Sequence, residues 1–324
     1  MALQPMTSLL HLSNRSSRSL RKRTSRIGGG LLALGLSLSM AMPTFAADPF
    51  RGPSSNRIDA TTEEAFLLIF KESKYEDANA KLKAAEAAGS SEPLVYAMLA
   101  STAYLEGDNG LDQLYDYAVM TEEKAQALKA SDPLRGHLYT AVGVFLQGAH
   151  LLQVQGVAEG TPEALGMLQE VFSELDAAEA VDPTDAELNL LKGYMDLMLA
   201  VNLPFSNPED AISRISQYGS PTYLAQRGLA IGYRDLEDYD NALDSVNAAL
   251  AEAQGNPELL YLKAQILSRQ GSQAQSESLD LFNQALAEGD QLPDELREQI
   301  GYEKCRMVND GTDCIAVLRG EIAP

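Results

Sequence analysis

The sequence predicts an all-α protein, an α-α superhelix of about six helical hairpins. Only 6% of the 324 residues are aromatic, Trp is absent and β-branched residues are sparse, which disfavours sheet proteins. Prolines and glycines alternate along the chain as helix starts and stops. Four prolines, at positions 183, 221, 257 and 293, recur at intervals of 36 to 38 residues. A fixed interval of this size is typical of helical repeats.

Residues 1–46 have the features of a secretory leader. Six basic residues and no acidic residue occupy positions 1–26, and an apolar run from Leu31 to Met42 follows. Small residues at Thr44 and Ala46 suit signal peptidase, so we predict cleavage after Ala46. Two alternatives stay open: an uncleaved anchor, or an organelle transit peptide joined to a lumenal signal. The predicted location is the periplasm or another exported compartment, with the thylakoid lumen as the minority alternative.

The mature chain divides into a tail, a repeat domain and a short end. Residues 47–57 are polar and rich in Pro and Gly, so we predict a flexible tail. The repeat domain covers 58–320, and 321–324 form a C-terminal tail.

Prolines mark the predicted helix starts, because proline at the first helical position loses no hydrogen bond. Six of the eight follow a capping residue such as Asp132, Thr161 or Asn256. The eight are Pro93, Pro133, Pro162, Pro183, Pro208, Pro221, Pro257 and Pro293. The stretch from Pro133 to Gln155 is predicted to be too long for one repeat arm.

The residues of one full unit resemble the tetratricopeptide repeat family. The matching positions are Leu229, Ala230, Tyr233, Asp238, Tyr239, Ala242, Val246, Ala249 and Leu250. Two earlier units resemble it through Tyr75, Ala78, Leu82 and Ala85, and through Tyr96, Leu99, Ala100, Ala103 and Gly107. The resemblance covers residues 58–107 and 183–290 and is weak between them. It implies stacked helix pairs whose small residues allow close helix approach.

Charge and cysteine usage narrow the function classes. Lys and Arg total 25 against 46 Asp and Glu, a net charge of −21 that would repel phosphate backbones, so nucleic-acid binding is excluded. Cys305 and Cys314 are the only two cysteines, and an even count in an oxidising compartment favours a disulfide. They bracket a predicted turn at 309–311 between the last two helices.

Recognisable enzymatic motifs are missing from the sequence. His137 and His150 lie thirteen residues apart on one predicted helix, which places them on different faces. The acidic run from Asp235 to Asp240 is better interpreted as an inter-helix turn than as a calcium loop. We therefore expect a binding protein with no metal and no cofactor rather than an enzyme.

The outward residues of the first helix in each pair are the candidate binding residues. They are Tyr104, Tyr194, Arg227, Ile231, Arg234, Tyr261, Gln265 and Arg269. Arg and Tyr are enriched at binding hot spots, and three arginines are unexpected in so acidic a chain. The resemblance implies a basic cradle for an acidic peptide or a C-terminal carboxylate. Alternatively, these arginines face solvent and pair with nearby carboxylates.

The sequence thus predicts an exported scaffold that binds a protein or peptide through a concave groove, with no membrane span after leader cleavage. One rival is a passive structural role in an envelope assembly. The other is a hydrolase with an unrecognised site.

Overall fold

The computed structural model of the chain describes residues 48–52, 57–202, 208–271, 274–308 and 313–318. The described part is all-helical and contains no β-strand, as the sequence predicts. It contains fourteen α-helices and one short 3-10 helix, Gly107–Asn109. The predicted leader, residues 47 and 53–56 of the predicted tail, the predicted turn at 309–311, and residues 319–324 lie outside the described residues.

The helices fall into consecutive pairs, each helix packing on the next. The first eight are α1 (Ala60–Phe70), α2 (Tyr75–Ala87), α3 (Pro93–Leu105), α4 (Leu111–Leu128), α5 (Pro133–Gln155), α6 (Val157–Val181), α7 (Ala186–Asn202) and α8 (Pro208–Tyr218). The last six are α9 (Thr222–Asp235), α10 (Tyr239–Glu252), α11 (Pro257–Arg269), α12 (Gln275–Ala287), α13 (Asp294–Val308) and α14 (Cys314–Leu318). The described part therefore holds seven pairs rather than six, and the last pair is short.

Capping side chains define several of the predicted starts. Asp132 accepts a hydrogen bond from the backbone N–H of Arg135, and Asn256 accepts one from Leu259. Pro162 is an exception, because it lies inside α6 instead of opening a helix. The helix has already begun at Val157, after Gly156 with φ +81°. Proline lacks an amide donor, so α6 loses one backbone bond there.

Odd-numbered helices contact one another as well as their pair partners. α1 contacts α3, α3 contacts α5, α7 contacts α9, and α9 contacts α11. Glycines permit the close approach of α7 and α9. A Cβ at Gly228 would lie 2.8 Å from the Tyr194 ring, and one at Gly232 would lie 2.9 Å from Leu197. Ala230 and Ala242 are fully buried beside Val246, so the small residues of the repeat-like unit do lie at helix contacts.

The first helix pair also meets the C-terminal part of the chain. Asn256 Nδ2 donates to the carbonyl of Lys71 at 3.1 Å. Gln291, in the turn before α13, donates to the Asp77 carboxylate at 3.0 Å. These contacts join α11 and the start of α13 to the α1–α2 turn and α2, across more than half of the sequence.

Residues 48–52 differ from the expected flexible tail. Asp48 is fully buried, and the Phe50 side chain is 4% exposed with its ring centroid 5.0 Å from that of Phe66. This segment, which contains Pro and Gly, forms a tight turn. Its only aromatic residue, Phe50, packs against Phe66. The long helix Pro133–Gln155, in contrast, has the predicted bounds, and α6 beside it is longer still.

The predicted disulfide joins Cys305 of α13 to Cys314 at the start of α14, with the two Cα atoms 5.7 Å apart. α14 packs on α13. The bridge therefore fixes the last short helix to the one before it.

Replacing both cysteines with serine should lower the free energy of unfolding by about 2.5 kcal/mol, because the bridge closes a short loop and restricts the unfolded chain. Urea denaturation followed by far-UV circular dichroism measures this loss. Reductant should shift the wild type toward the variant and leave the variant unchanged. A wild type insensitive to reductant would contradict the assignment of a stabilising bridge.

Candidate functional site

Side chains from five odd-numbered helices converge on a small apolar cavity. Its volume is about 40 Å³, room for about one water molecule. The lining from α1 to α9 consists of Phe66, Phe70, Leu94, Ala97, Met98, Ser101, Tyr139, Val142, Leu190, Leu191, Tyr194 and Leu224. We call this surface the inner face. Phe50, which belongs to no helix, completes the wall.

The turn Asp48–Gly52 sits on the inner face. The Asp48 carbonyl accepts a hydrogen bond from the amide of Gly52 at 2.7 Å, and its carboxylate accepts from the amides of Phe50 and Arg51. Asp followed by Pro is a favoured start for such turns. The turn therefore holds its own shape and directs Phe50 and Arg51 toward the helices.

Arg51 enters a cluster of carboxylates at the start of α7. Its guanidinium donates two bonds to Asp185, at 2.7 and 2.8 Å, and lies 2.8 Å from Glu187. Asp185 also caps α7 by accepting from the amide of Leu188. Such a two-bond arginine–carboxylate geometry is among the stronger polar contacts in proteins.

Glu187 joins this cluster to the earlier helices. Arg135 of α5, 1% exposed, donates to Glu187 at 3.1 Å and makes two bonds to Glu92, the N-cap of α3. Tyr139 donates its hydroxyl to the other Glu187 oxygen. Burial alone would raise the pKa of Glu187, but the charges of Arg135 and Arg51 outweigh it, and the pKa lies below its ordinary value.

A second buried cluster surrounds Glu258 at the first turn of α11. Arg227 of α9 donates to it at 2.5 Å, Tyr75 at 2.8 Å and Ser73 at 3.1 Å. Burial alone would raise the pKa of Glu258, yet the Arg227 charge and the hydrogen bond from Tyr75 lower it overall. One carboxylate thus holds α9, α11 and the α1–α2 turn together.

The structure places three predicted groove residues in the interior. Arg227 is 5% exposed, Tyr194 is 7% exposed, and Tyr261 is fully buried. Tyr194 donates to the carbonyl of Leu224 at 2.7 Å. The expected exposed cradle around Arg227 is therefore corrected: its charge is neutralised by Glu258, because a buried guanidinium requires a counter-charge.

Two further predicted residues, Arg234 and Gln265, join Tyr261 in one chain of hydrogen bonds. Arg234 of α9 donates to Gln265 of α11 at 2.7 Å, and Gln265 donates to Glu303 of α13 at 2.8 Å. Tyr261 donates to the other Glu303 oxygen at 2.7 Å. This chain of hydrogen bonds links three odd-numbered helices, and Arg234 also pairs with Asp235.

The remaining predicted residues lie apart from one another. Ile231 is half-buried against the core, and Tyr104 is half-buried near Gln153 at the end of α5. Arg269 is exposed and makes no hydrogen bond or ion pair with the residues that the structure describes. The three predicted arginines therefore do not form one basic surface.

The two histidines have separate neighbours. His137 Nδ1 lies 2.7 Å from Glu174, which also pairs with Lys129 at 2.9 Å. The His150 ring is tilted against Tyr115 with centroids 5.0 Å apart. In the described ranges, no group of three or more His, Cys, Asp or Glu residues could hold a metal ion.

Sequence reasoning missed the residues that organise the inner face. Arg135, Glu187 and Glu258 all lie in the first turns of odd-numbered helices. One signal in the sequence could have identified two of them. Arg135 and Glu258 are charged residues within two positions of a proline that opens a helix. For Phe50 the signal was an aromatic residue directly after Asp-Pro in a segment otherwise free of large apolar residues.

Comparison with known proteins gives no relative. No protein-family model matches the chain, and no curated protein or solved structure resembles it significantly. Among the helices of the described residues, none combines the length and apolar character needed to cross a membrane.

Substituting Glu258→Gln should destabilise the protein by about 3 to 5 kcal/mol at pH 7, because Arg227 would stay buried without its counter-charge. The folded pKa of Glu258 is lowered, so its stabilisation is complete above the ordinary value of 4.5 and is lost as pH falls through the folded value. The difference in the free energy of unfolding between the variant and the wild type should therefore become smaller at acidic pH.

Chemical denaturation at several pH values tests this. Glu298→Gln, at an exposed position of α13, is the matched control and should follow the wild type. If the variant and the wild type differed in unfolding free energy by the same amount at neutral and at strongly acidic pH, the assigned role of the Glu258 charge would be contradicted.

Proposed function

We propose that this chain is an exported helical-repeat protein of the tetratricopeptide type. In this proposal, its helix pairs form a superhelix whose concave side is the inner face. That face binds a peptide segment of a protein partner in the cell envelope.

The packing of the odd-numbered helices supports the proposed architecture. Successive helix pairs pack in chain order, and α1, α3, α7 and α9 each also contact the next odd-numbered helix. Helices α7, α9, α11 and α13 begin within three residues of the four periodic prolines. A unit of two helices cannot bury its own apolar face and must stack on its neighbours.

The proposal depends on one observation, which is the binding of the turn Asp48–Gly52 on the inner face. The inner face holds a short segment that belongs to no helix. Its aromatic ring forms part of the wall of the apolar cavity, and its guanidinium pairs with carboxylates. A surface that accommodates one such segment has the pocket and the polar anchors that peptide recognition needs.

The leader and the disulfide support an exported location. Residues 1–46 have the basic and apolar pattern of a secretory leader, and structural disulfides persist in oxidising compartments. The periplasm is the proposed compartment, and the thylakoid lumen is the alternative for a plastid protein.

The expectation of an acidic ligand does not carry into this proposal. Arg227 and Arg234 are committed to Glu258, Asp235 and Gln265, so they offer no open basic cradle. Asp185 and Glu187, next to the inner face, are paired with Arg51 of the turn, so a ligand that replaced the turn would need a basic group there.

An assembly role is the second candidate. Leu165 and Phe172 are seven residues apart on α6, and their side chains are 44% and 39% exposed. Residues seven apart share a helix face, so the pair forms an apolar stripe suited to packing against another chain.

Selection from a displayed peptide library tests the proposed function. The mature chain should enrich a family of peptides, and Ser101→Phe, which fills the inner cavity, should weaken their binding at least tenfold. The control Ser173→Phe, at an exposed position of α6, should leave binding unchanged. Peptides that bind both variants equally, or no enrichment by any form of the chain, would contradict inner-face recognition.

Loss of self-association in Phe172→Glu without loss of peptide binding would assign the α6 stripe to assembly.

A further inference from the structure

The turn Asp48–Gly52 behaves as a self-contained ligand. Its shape is set by its own bonds, from Gly52 to the Asp48 carbonyl and from Phe50 and Arg51 to the Asp48 carboxylate. Its Phe50 ring and its Arg51 guanidinium both contact the helices, and its Asp48 is fully buried. Such preorganisation lowers the entropy cost of seating a short segment.

The receiving site is incomplete without a guanidinium. If the turn leaves, its own Asp48–Arg51 pair leaves with it, Asp185 loses both hydrogen bonds from Arg51, and Glu187 keeps Arg135 as its arginine partner. The Glu187 side chain is fully buried, and that of Asp185 is 6% exposed. Unpaired buried carboxylates are costly, so the vacated site requires a cationic group at the place of Arg51.

The apolar half of the site fits an aromatic ring beside that cation. Phe50 packs at 5.0 Å from the Phe66 ring with an interplanar angle of 68°, an edge-to-face contact. The adjoining cavity of about 40 Å³ leaves space next to the ring. The site therefore places an apolar wall for a ring beside carboxylates for a guanidinium.

Because of its position near the predicted mature N-terminus, the turn can leave the inner face without pulling other parts of the chain through the fold. With cleavage after Ala46, a single residue precedes Asp48, so the turn stands at the free end of the mature protein. On the other side, five residues separate Gly52 from Ile58, so the turn stays tethered beside its site. A short tether of this kind gives an effective concentration on the order of millimolar.

We infer that the inner face is a binding site for a turn carrying an aromatic residue followed by arginine, contributed by a partner protein. The resident turn Asp48–Gly52 is a built-in competitor that the partner must displace. This inference rests on the proposed function and specifies its ligand. It also makes the partner's affinity depend on the turn, because the resident segment blocks the site until a tighter ligand replaces it.

A peptide added in trans tests the site directly. The probe is a fluorescently labelled synthetic peptide with the sequence of residues 47–52, and the receptor is the mature chain carrying Phe50→Ala and Arg51→Ala. This emptied variant should bind the probe at least tenfold more tightly than the wild type does in fluorescence anisotropy. A probe with Ala at both the Phe and Arg positions should not bind.

Arg297→Ala is the control receptor, because Arg297 is an exposed arginine on α13 far from the turn in sequence. It should bind the probe as weakly as the wild type. An emptied variant that keeps its far-UV spectrum yet gains no affinity would overturn the inference. Equal binding of the Ala-substituted probe would overturn it too.

A second measurement avoids any loss of folding in the emptied variant. The chain has no Trp, so Phe50→Trp introduces a single fluorescent reporter beside the free space of the cavity. Its emission should be blue-shifted and protected from iodide, and an excess of unlabelled probe should reverse both properties. Phe172→Trp provides the exposed reference. Equal quenching of the two indoles would overturn the inference.

The two proposals fail in different ways. If library peptides are enriched and compete at the inner face but lack an aromatic–arginine pair, the ligand class is wrong and the binding function stands. If no peptide is enriched even by the emptied variant, the binding function itself fails. A concentration-dependent dimer that Arg51→Ala abolishes would replace the partner protein with a second copy exchanging its turn.

Discussion

The structure depends on two buried carboxylates, Glu187 and Glu258, each held by arginine and tyrosine from distant parts of the chain. Glu187 joins α7 to α5 and, through Arg135, to α3, while Glu258 joins α11 to α9 and to the α1–α2 turn. A buried carboxylate without these partners would be strongly destabilising. These clusters therefore determine which odd-numbered helices lie together, and apolar packing completes the contacts between them.

The same constraint underlies the proposed exchange of the segment on the inner face. Arg135 serves Glu92 and Glu187 but leaves Asp185 without a cation, and Arg51 supplies it from a turn outside the helical framework. The missing charge comes from a short segment near the predicted mature N-terminus, and in the proposed exchange a partner chain with the same chemistry would provide it. The proposed recognition would therefore use the same side chains that stabilise the fold.

Local sequence signals predicted the helices well and the inner face poorly. Proline after a capping residue defined α5 and α11, and the two cysteines predicted their bridge, because those signals act within a few residues. The prediction that Pro162 opens a helix is wrong, since α6 has already begun at Val157. Arg227 was expected at an open groove because helical periodicity places it there, but the partner that buries it, Glu258, depends on how α9 and α11 pack. Phe50 was missed for the same reason.

Amide hydrogen exchange of the mature chain at residues 50–52 tests the central claim most directly. The seated turn predicts slow exchange at Phe50, Arg51 and Gly52, whose amides are donors to Asp48, and faster exchange when Arg51→Ala removes the anchor. Exchange at unfolded-chain rates in the wild type would contradict a turn held on the inner face.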